Sequence, residues 1–177
     1  DFPEFSRMRF SVRLFDCESA EVGSDVITRA VAIAQTAPQA CNRQGVRVYY
    51  VPKENPSFQA LTRLQGGCSG FSDNAAGMLA VTVDAGLYSL GEYPLMFVDA
   101  GLFAMNLVYA LQHERVGTCI LNGTLDSARR KAVEELLPCS SREHLALFIL
   151  VSRIPTGGRV LRGQAVRRPL DEVLTVM

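Results

Sequence analysis

Two periods of hydrophobic and polar residues alternate along this chain. In RFSVRLF, residues 9 to 15, the period is two: Arg9, Ser11 and Arg13 fall on one side of an extended segment, Phe10, Val12 and Leu14 on the other. DVITRAVAIAQT, residues 25 to 36, has helical spacing, with Val26, Ile27, Ala30, Val31, Ile33 and Ala34 on one face. Ser24 suits its N-cap and Pro38 its stop. VRVYYV at 46 to 51 reads as a strand, followed by a short helix around 56 to 63 and a loop, QGGCSGF. MLAVTV at 78 to 83 is a second strand, and a long helix takes about 93 to 114. TCILN at 118 to 122 is a third strand, bracketed by Gly117 and Gly123. Residues 126 to 137 form an amphipathic helix stopped by Pro138. LALFILVSR at 145 to 153 is apolar on both faces, which predicts a central strand. Residues 1 to 8 are expected to be an arm, and the tail from 154 is rich in Gly and Arg. Helices and strands in this order predict α/β or α+β, a sheet covered by helices.

The stretch 93 to 111, YPLMFVDAGLFAMNLVYAL, approaches the length of a membrane span. Asp99 and Asn106 interrupt it, and ionisable groups at that depth are costly. The pattern therefore predicts a central buried helix that needs cover on every side, some of it from a second subunit. The chain of 177 residues fits one domain, 1 to 177, with a real core. Its formal net charge of zero gives no bulk field towards nucleic acid or membrane, and neither is expected as a partner. Among the 18 basic residues only Lys53 and Lys131 are lysines, and the rest are arginines, the better fork for phosphate. Cys17, Cys41, Cys68, Cys119 and Cys139 are odd in number and form no CxxC, so free thiols in a reducing cytoplasm are expected. No leader-like segment is visible, and the start at Asp1 is compatible with a missing N-terminal segment.

Familiar hydrolytic and metal chemistries are not indicated. The two histidines, His113 and His144, lie near no recognisable nucleophile motif, and GxSxG is absent. His113 fits a dipole contact at a helix end, and His144 a solvated position. No HExxH, EF-hand loop or paired cysteines point to a metal. Gly66, Gly67 and Gly70 give only GGxxG, which reads as a surface turn rather than a phosphate loop. Four polar islands remain: RFSVR, APQACNRQG at 37 to 45, GTCILNG at 117 to 123, and VRRPL at 166 to 170. Each alone has a plain structural reading, as edge strand, helix terminator, turn and solvated tail.

In this order, the four islands resemble the nitroreductase family of FMN-dependent proteins. Its early R-x-S-x-R/K segment matches Arg9 to Arg13, and its P-S-x-x-N-x-Q stretch matches Pro38 to Gln44. The strand after its G-T turn matches Val116 to Gly123, and its terminal basic pair before P-L-x-E matches Arg167 to Leu174. VDAGLFAMNLVYAL is similar to the family's central dimer helix. The resemblance implies an α+β, nitroreductase-like three-layer fold, with a mixed central sheet flanked by helices, in an intertwined homodimer. It also implies FMN at the subunit interface, so that the cofactor rather than a catalytic side chain carries the chemistry.

The residues implied for the cofactor are Arg9, Phe10, Ser11, Arg13, Pro38, Gln39, Ala40, Asn42, Leu121, Asn122, Gly123 and Arg167. Arg9, Arg13 and Arg167 suit the phosphate through charge-assisted hydrogen bonds, with Ser11 adding a hydroxyl. Pro38, Gln39 and Ala40 resemble the segment that packs on the flavin from the second subunit, with Asn42 orienting that loop or touching the ring. Leu121, Asn122 and Gly123 resemble the strand end beside the ring's reactive edge. The implied activity is ping-pong transfer of electrons from NADH or NADPH to a small acceptor such as a nitroaromatic or quinone. Departures from the pattern are Gln39 for the usual Ser, Gly45 and Val46 for Trp or Pro, and Ala165 for Lys. They leave open a rival expectation, a fold-retaining binding or regulatory protein, and a third, an Arg-rich module for another phosphate ligand. The short 84 to 92 region implies a minimal substrate-covering excursion, and the CNRQ and LNG variants are closer to a compact branch of the family.

Overall fold

The computed structural model describes residues 1–15, 21–154 and 165–177. Cys17 and the Gly- and Arg-rich stretch 155 to 164 lie outside the described residues. The elements are α1 (Phe2–Met8), α2 (Ser24–Ala34), β1 (Val46–Pro52), α3 (Ser57–Gln65), β2 (Gly77–Asp84), α4 (Tyr93–His113), β3 (Val116–Asn122), α5 (Ser127–Leu136) and β4 (Glu143–Arg153). The four strands form one sheet in the order β1-β2-β4-β3. All three ladders are antiparallel. The mixed character expected of the sheet is confined, among the described residues, to one parallel bridge between Ser11 and Thr118.

Side-chain alternation in the central strands divides the core into two halves. Leu79, Val81, Val83, Ile149 and Val151 face α2 and α4, where Ala30, Ala34, Phe103, Leu107 and Leu111 meet them. Met78, Ala80, Phe148 and Leu150 face α3 and α5, against Phe58, Leu61 and Val133. The result is three layers, helices on both faces of a sheet. β2 is buried at every position, and β4, the strand whose apolar run predicted a central place, lies between β2 and β3.

Boundaries differ from the sequence expectation where caps decide them. Residues 1 to 8 form α1 rather than an unstructured arm: Asp1 accepts from the Glu4 N–H, Pro3 sits in the first turn, and Phe2 and Phe5 pack on the Tyr109 ring. Ser24 is the first helical residue of α2, not its cap. The cap is Gly23, whose carbonyl accepts from Val26 and Ile27. The helix ends at Ala34, and Thr36 and Ala37 close it with bonds to Ile33 and Ala34. Cys68 is fully buried, so QGGCSGF is a folded turn with an anchored centre rather than a free surface loop. α4 buries Met96, Asp99, Phe103 and Leu107 but leaves Phe97, Val98 and Leu102 exposed. Residues 90–113 are long and apolar enough to cross a membrane, and half of their most apolar window is buried inside the fold.

Candidate functional site

The first polar island is held by backbone. Arg9 ends α1 in an extended conformation, and the chain then runs beside β3. Ser11 bridges Thr118, and the Val12 N–H donates to the Thr118 carbonyl at 2.9 Å. Val12 is buried directly over Gly117, where an added Cβ would come within 3.0 Å of it. The strict alternation fails beyond this point. Leu14 is 44% exposed and Phe15, 3% exposed, enters the core in its place. Phe10 is half-buried against the α3 and α5 core, so its side chain serves packing. The side chains of Arg9 and Arg13 make no ion pair or hydrogen bond among the described residues. Arg13 stands close enough to Cys119 for its charge to oppose the upward push that burial gives that thiol.

The second island, residues 38 to 45, is fixed by a carboxylate that the sequence disclosed only as an interruption. Asp99 of α4 is 3% exposed. Its two oxygens lie 3.0 and 3.1 Å from the Ala40 N–H, and one also accepts from the Tyr88 hydroxyl at 2.7 Å. Burial, then the bond to Asp99, pushes the Tyr88 phenol above its ordinary range. Arg43 lies over the Tyr88 ring, 5.1 Å from its centroid, and pairs with Glu92 at 2.7 Å. Arg43, then the Ser89 hydroxyl and N–H, hold the Glu92 carboxyl down at about 2. Within this frame Cys41, Asn42 and Gln44 all take positive φ, near 50°. That conformation is costly without glycine and persists where the surroundings over-determine it. Pro38 and Asn42 are exposed. Gln39 Oε1 and Arg43 Nη1 are buried and have no hydrogen-bond partner among the described residues.

The third island is the end of β3. Leu121 points into the α3 and α5 core, so any contact it offers a ligand comes from its backbone. Asn122 is exposed, its side chain accepting from the Thr124 N–H and its carbonyl from Gln65 Nε2 at 3.4 Å. A Cβ on Gly123 would lie 2.5 Å from the Ala146 carbonyl oxygen, so glycine is required there by the approach of two backbones. Ile120, 40% exposed, shares a strand face with Asn122 and was not singled out from sequence. Strand alternation beside Leu121 is the signal that could have found it. The fourth island stays apart: residues 165 to 177 are all exposed, and among the described residues the Arg167 guanidinium reaches only the Ala165 carbonyl, at 3.5 Å.

The structure thus joins the first island to the third through Thr118 and Gly117 and builds the second on α4. Among the described residues, no group of His, Cys, Asp and Glu side chains could hold a metal ion. The donor set fits an anionic cofactor such as FMN: among the described residues, two cations without protein partners, a hydroxyl on the same segment, and a buried acceptor and donor at Gln39 and Arg43 that find no partner.

Comparison with solved structures places the fold. A nitroreductase family protein from Streptococcus pneumoniae TIGR4 aligns over 100% of both chains, at 23% identity and a TM-score of 0.80. A protein assigned as an NAD(P)H:FMN oxidoreductase, from Staphylococcus epidermidis, aligns over 100% of this chain and 96% of its own, at 18% identity and a TM-score of 0.82. A protein assigned as a nitroreductase from Desulfovibrio desulfuricans, solved in complex with FMN, aligns over 97% and 94%, at 20% identity and a TM-score of 0.78. No curated protein matches the chain. At these identities the likeness speaks for the fold. The sequence itself matches the nitroreductase family model from residue 7 to 153, from just before the first cation of RFSVR to the last residue of β4, and the chain belongs to that family.

Proposed function

We propose that this protein is a homodimeric FMN-dependent oxidoreductase that takes electrons from NADH or NADPH and passes them to a small organic acceptor such as a nitroaromatic or quinone. The observation that carries the reading is the pair Arg9 and Arg13, cations beside β3 with no ion-pair partner among the described residues, in a nitroreductase-family chain. The FMN found with the Desulfovibrio desulfuricans relative supports the cofactor, and the Staphylococcus epidermidis protein's description supports the nucleotide. The exposed apolar residues Phe97, Val98 and Leu102 on α4, whose other face is buried, support a second copy as their cover. Free thiols at Cys41, Cys68, Cys119 and Cys139 support a cytoplasmic setting.

Each island has a role in this reading. Arg9, Arg13 and Ser11, with Arg167, bind the terminal phosphate. The backbone from Leu121 to Gly123, clamped by Gln65 and by β4, orients the ring at its reactive edge. Loop 38 to 45 closes over the ring from the partner subunit, with Gln39 offering its unpaired oxygen and Asn42 its side chain at the rim. Bound FMN supplies reversible hydride and electron acceptance. Kinetics are accordingly ping-pong, the nucleotide leaving before the acceptor enters the same pocket. The test is one absorbance spectrum of the purified protein, with and without reduced nicotinamide. A yellow protein that bleaches with NADH or NADPH supports the reading. A colourless protein that cannot be reconstituted with FMN overturns it. A protein that binds FMN normally and is reduced by neither nucleotide is a binding protein.

A further inference from the structure

We infer that Asp99 is a positioning residue that sets the affinity and environment of the cofactor by holding the loop that closes over it. This rests on the functional reading above. Asp99 lies within the longest and most apolar helix of the chain, where a carboxylate is costly to bury unless its oxygens are hydrogen-bonded. Both of its oxygens face the Ala40 N–H, and one also takes the Tyr88 hydroxyl. Its anchoring therefore goes from α4 to the loop rather than to the α2 and β-sheet core behind it.

The consequences for the loop follow from geometry. Ala40 opens a short turn whose next two residues, Cys41 and Asn42, adopt left-handed backbone, as does Gln44. An alanine at 99 would leave the part-buried Ala40 N–H and the Tyr88 hydroxyl without their acceptor. The left-handed residues could then relax. The Tyr88 ring carries the same restraint onward, because Arg43 lies over it and is itself tied to Glu92 at the start of α4. Helix, loop and the segment 88 to 92 are thereby one rigid frame around Gln39, whose buried oxygen has no partner among the described residues.

The experiment compares wild type, Asp99→Ala, Asp99→Asn and Tyr88→Phe. Three quantities are read: FMN dissociation constant by flavin fluorescence, shape of the visible flavin band at saturating FMN, and thermal midpoint of the FMN-free protein. Asp99→Ala should weaken FMN binding about tenfold or more, the cost of an unsatisfied buried donor, and alter the band even at saturation. Asp99→Asn keeps an acceptor for the Ala40 N–H and should recover most of the affinity. Tyr88→Phe should fall between them. A lowered thermal midpoint in Asp99→Ala with wild-type affinity and an unchanged band would show a purely structural role and overturn the inference. If Asp99→Ala does not fold, Tyr88→Phe decides: wild-type affinity and band overturn it, and a weakened, altered complex supports it. Failure of wild type itself to bind FMN overturns the functional reading and this inference with it. Binding that is insensitive to all three variants overturns the inference alone.

Discussion

Gly123→Ala separates a cofactor contact from a packing constraint at the end of β3. The added methyl would lie 2.5 Å from the Ala146 oxygen, 2.7 Å from the Ala146 carbonyl carbon and 2.9 Å from the Leu147 nitrogen. Ordinary carbon contacts are near 3.5–4.0 Å, so roughly 1 Å of separation must be found. All three obstructing atoms are backbone of β4, a strand held on both sides by ladders, and no side chain can rotate away. Overpacking of this kind costs about 1–3 kcal/mol. For a chain of this size that is a fall of roughly 2–12 °C in thermal midpoint. The assay is thermal and urea denaturation of the FMN-free protein, with Gly91→Ala as the control because its Cβ meets nothing within 4 Å. The control should stay within about 0.5 kcal/mol of wild type. A Gly123→Ala midpoint equal to wild type in the FMN-free protein would refute the reasoning, and a loss confined to FMN binding would assign the glycine to the cofactor instead.

Arg9→Ala and Arg13→Ala should each weaken FMN binding by about 1.5–3 kcal/mol, or roughly ten- to hundredfold, while leaving the urea midpoint in place. Flavin titration checks this, and unchanged occupancy in both would reduce RFSVR to an edge segment. Leu102→Asp should convert the proposed dimer to monomer in light scattering, because a carboxylate in an apolar interface must be desolvated; a persistent dimer would exclude this helix face as the contact. The Glu92 carboxyl, ordinarily near 4.5, is held at about 2 in the fold, so its contribution to stability is complete above pH 4.5 and is lost as pH falls through 2. Urea midpoints of wild type and Glu92→Gln should therefore differ most near neutral pH and converge on acidification; parallel acid limbs would show that the Arg43 pair contributes nothing.

The alternating and helical periods disclosed every strand and the four longer helices, because these elements bury faces that must be apolar. Apolarity on both faces of residues 145 to 153 foretold the interior place of β4. What escaped depended on contacts distant in sequence. The N-terminal residues lack a long periodic pattern, and their helix is stabilised by Asp1 and by Tyr109 more than a hundred residues away. RFSVRLF continued the alternating pattern through Leu14, but only one bridge to β3 holds the segment, so Phe15 was free to take the core position. Asp99 registered as a flaw in an apolar helix. A buried carboxylate needs donors, and its donors were the Ala40 N–H, invisible in any pattern, and Tyr88 in the short 84 to 92 region, which was read only for its length. The Gln39, Asn42, Leu121 and Gly123 positions were legible as islands, but the core-facing side chain at 121 and the backbone crowding at 123 emerge only from the packing of β3 on β4.

The Ser11–Thr118 bridge has a second consequence, for solubility. Among the described residues β3 is an outer strand, and its flank from Ile120 onward, which none of them pairs, offers backbone groups and an exposed isoleucine to any other chain. The segment carrying Arg9 and Arg13 occupies that flank at Thr118 and leaves charge beside it. Charged cover of this kind is how soluble proteins discourage strand-to-strand association. Removal of residues 1 to 13 would therefore strip the sheet's guard along with the proposed phosphate ligands. A truncated protein would aggregate before its affinity for any cofactor could be read, whereas single substitutions at Arg9 or Arg13 keep the backbone cover and expose the binding role by itself.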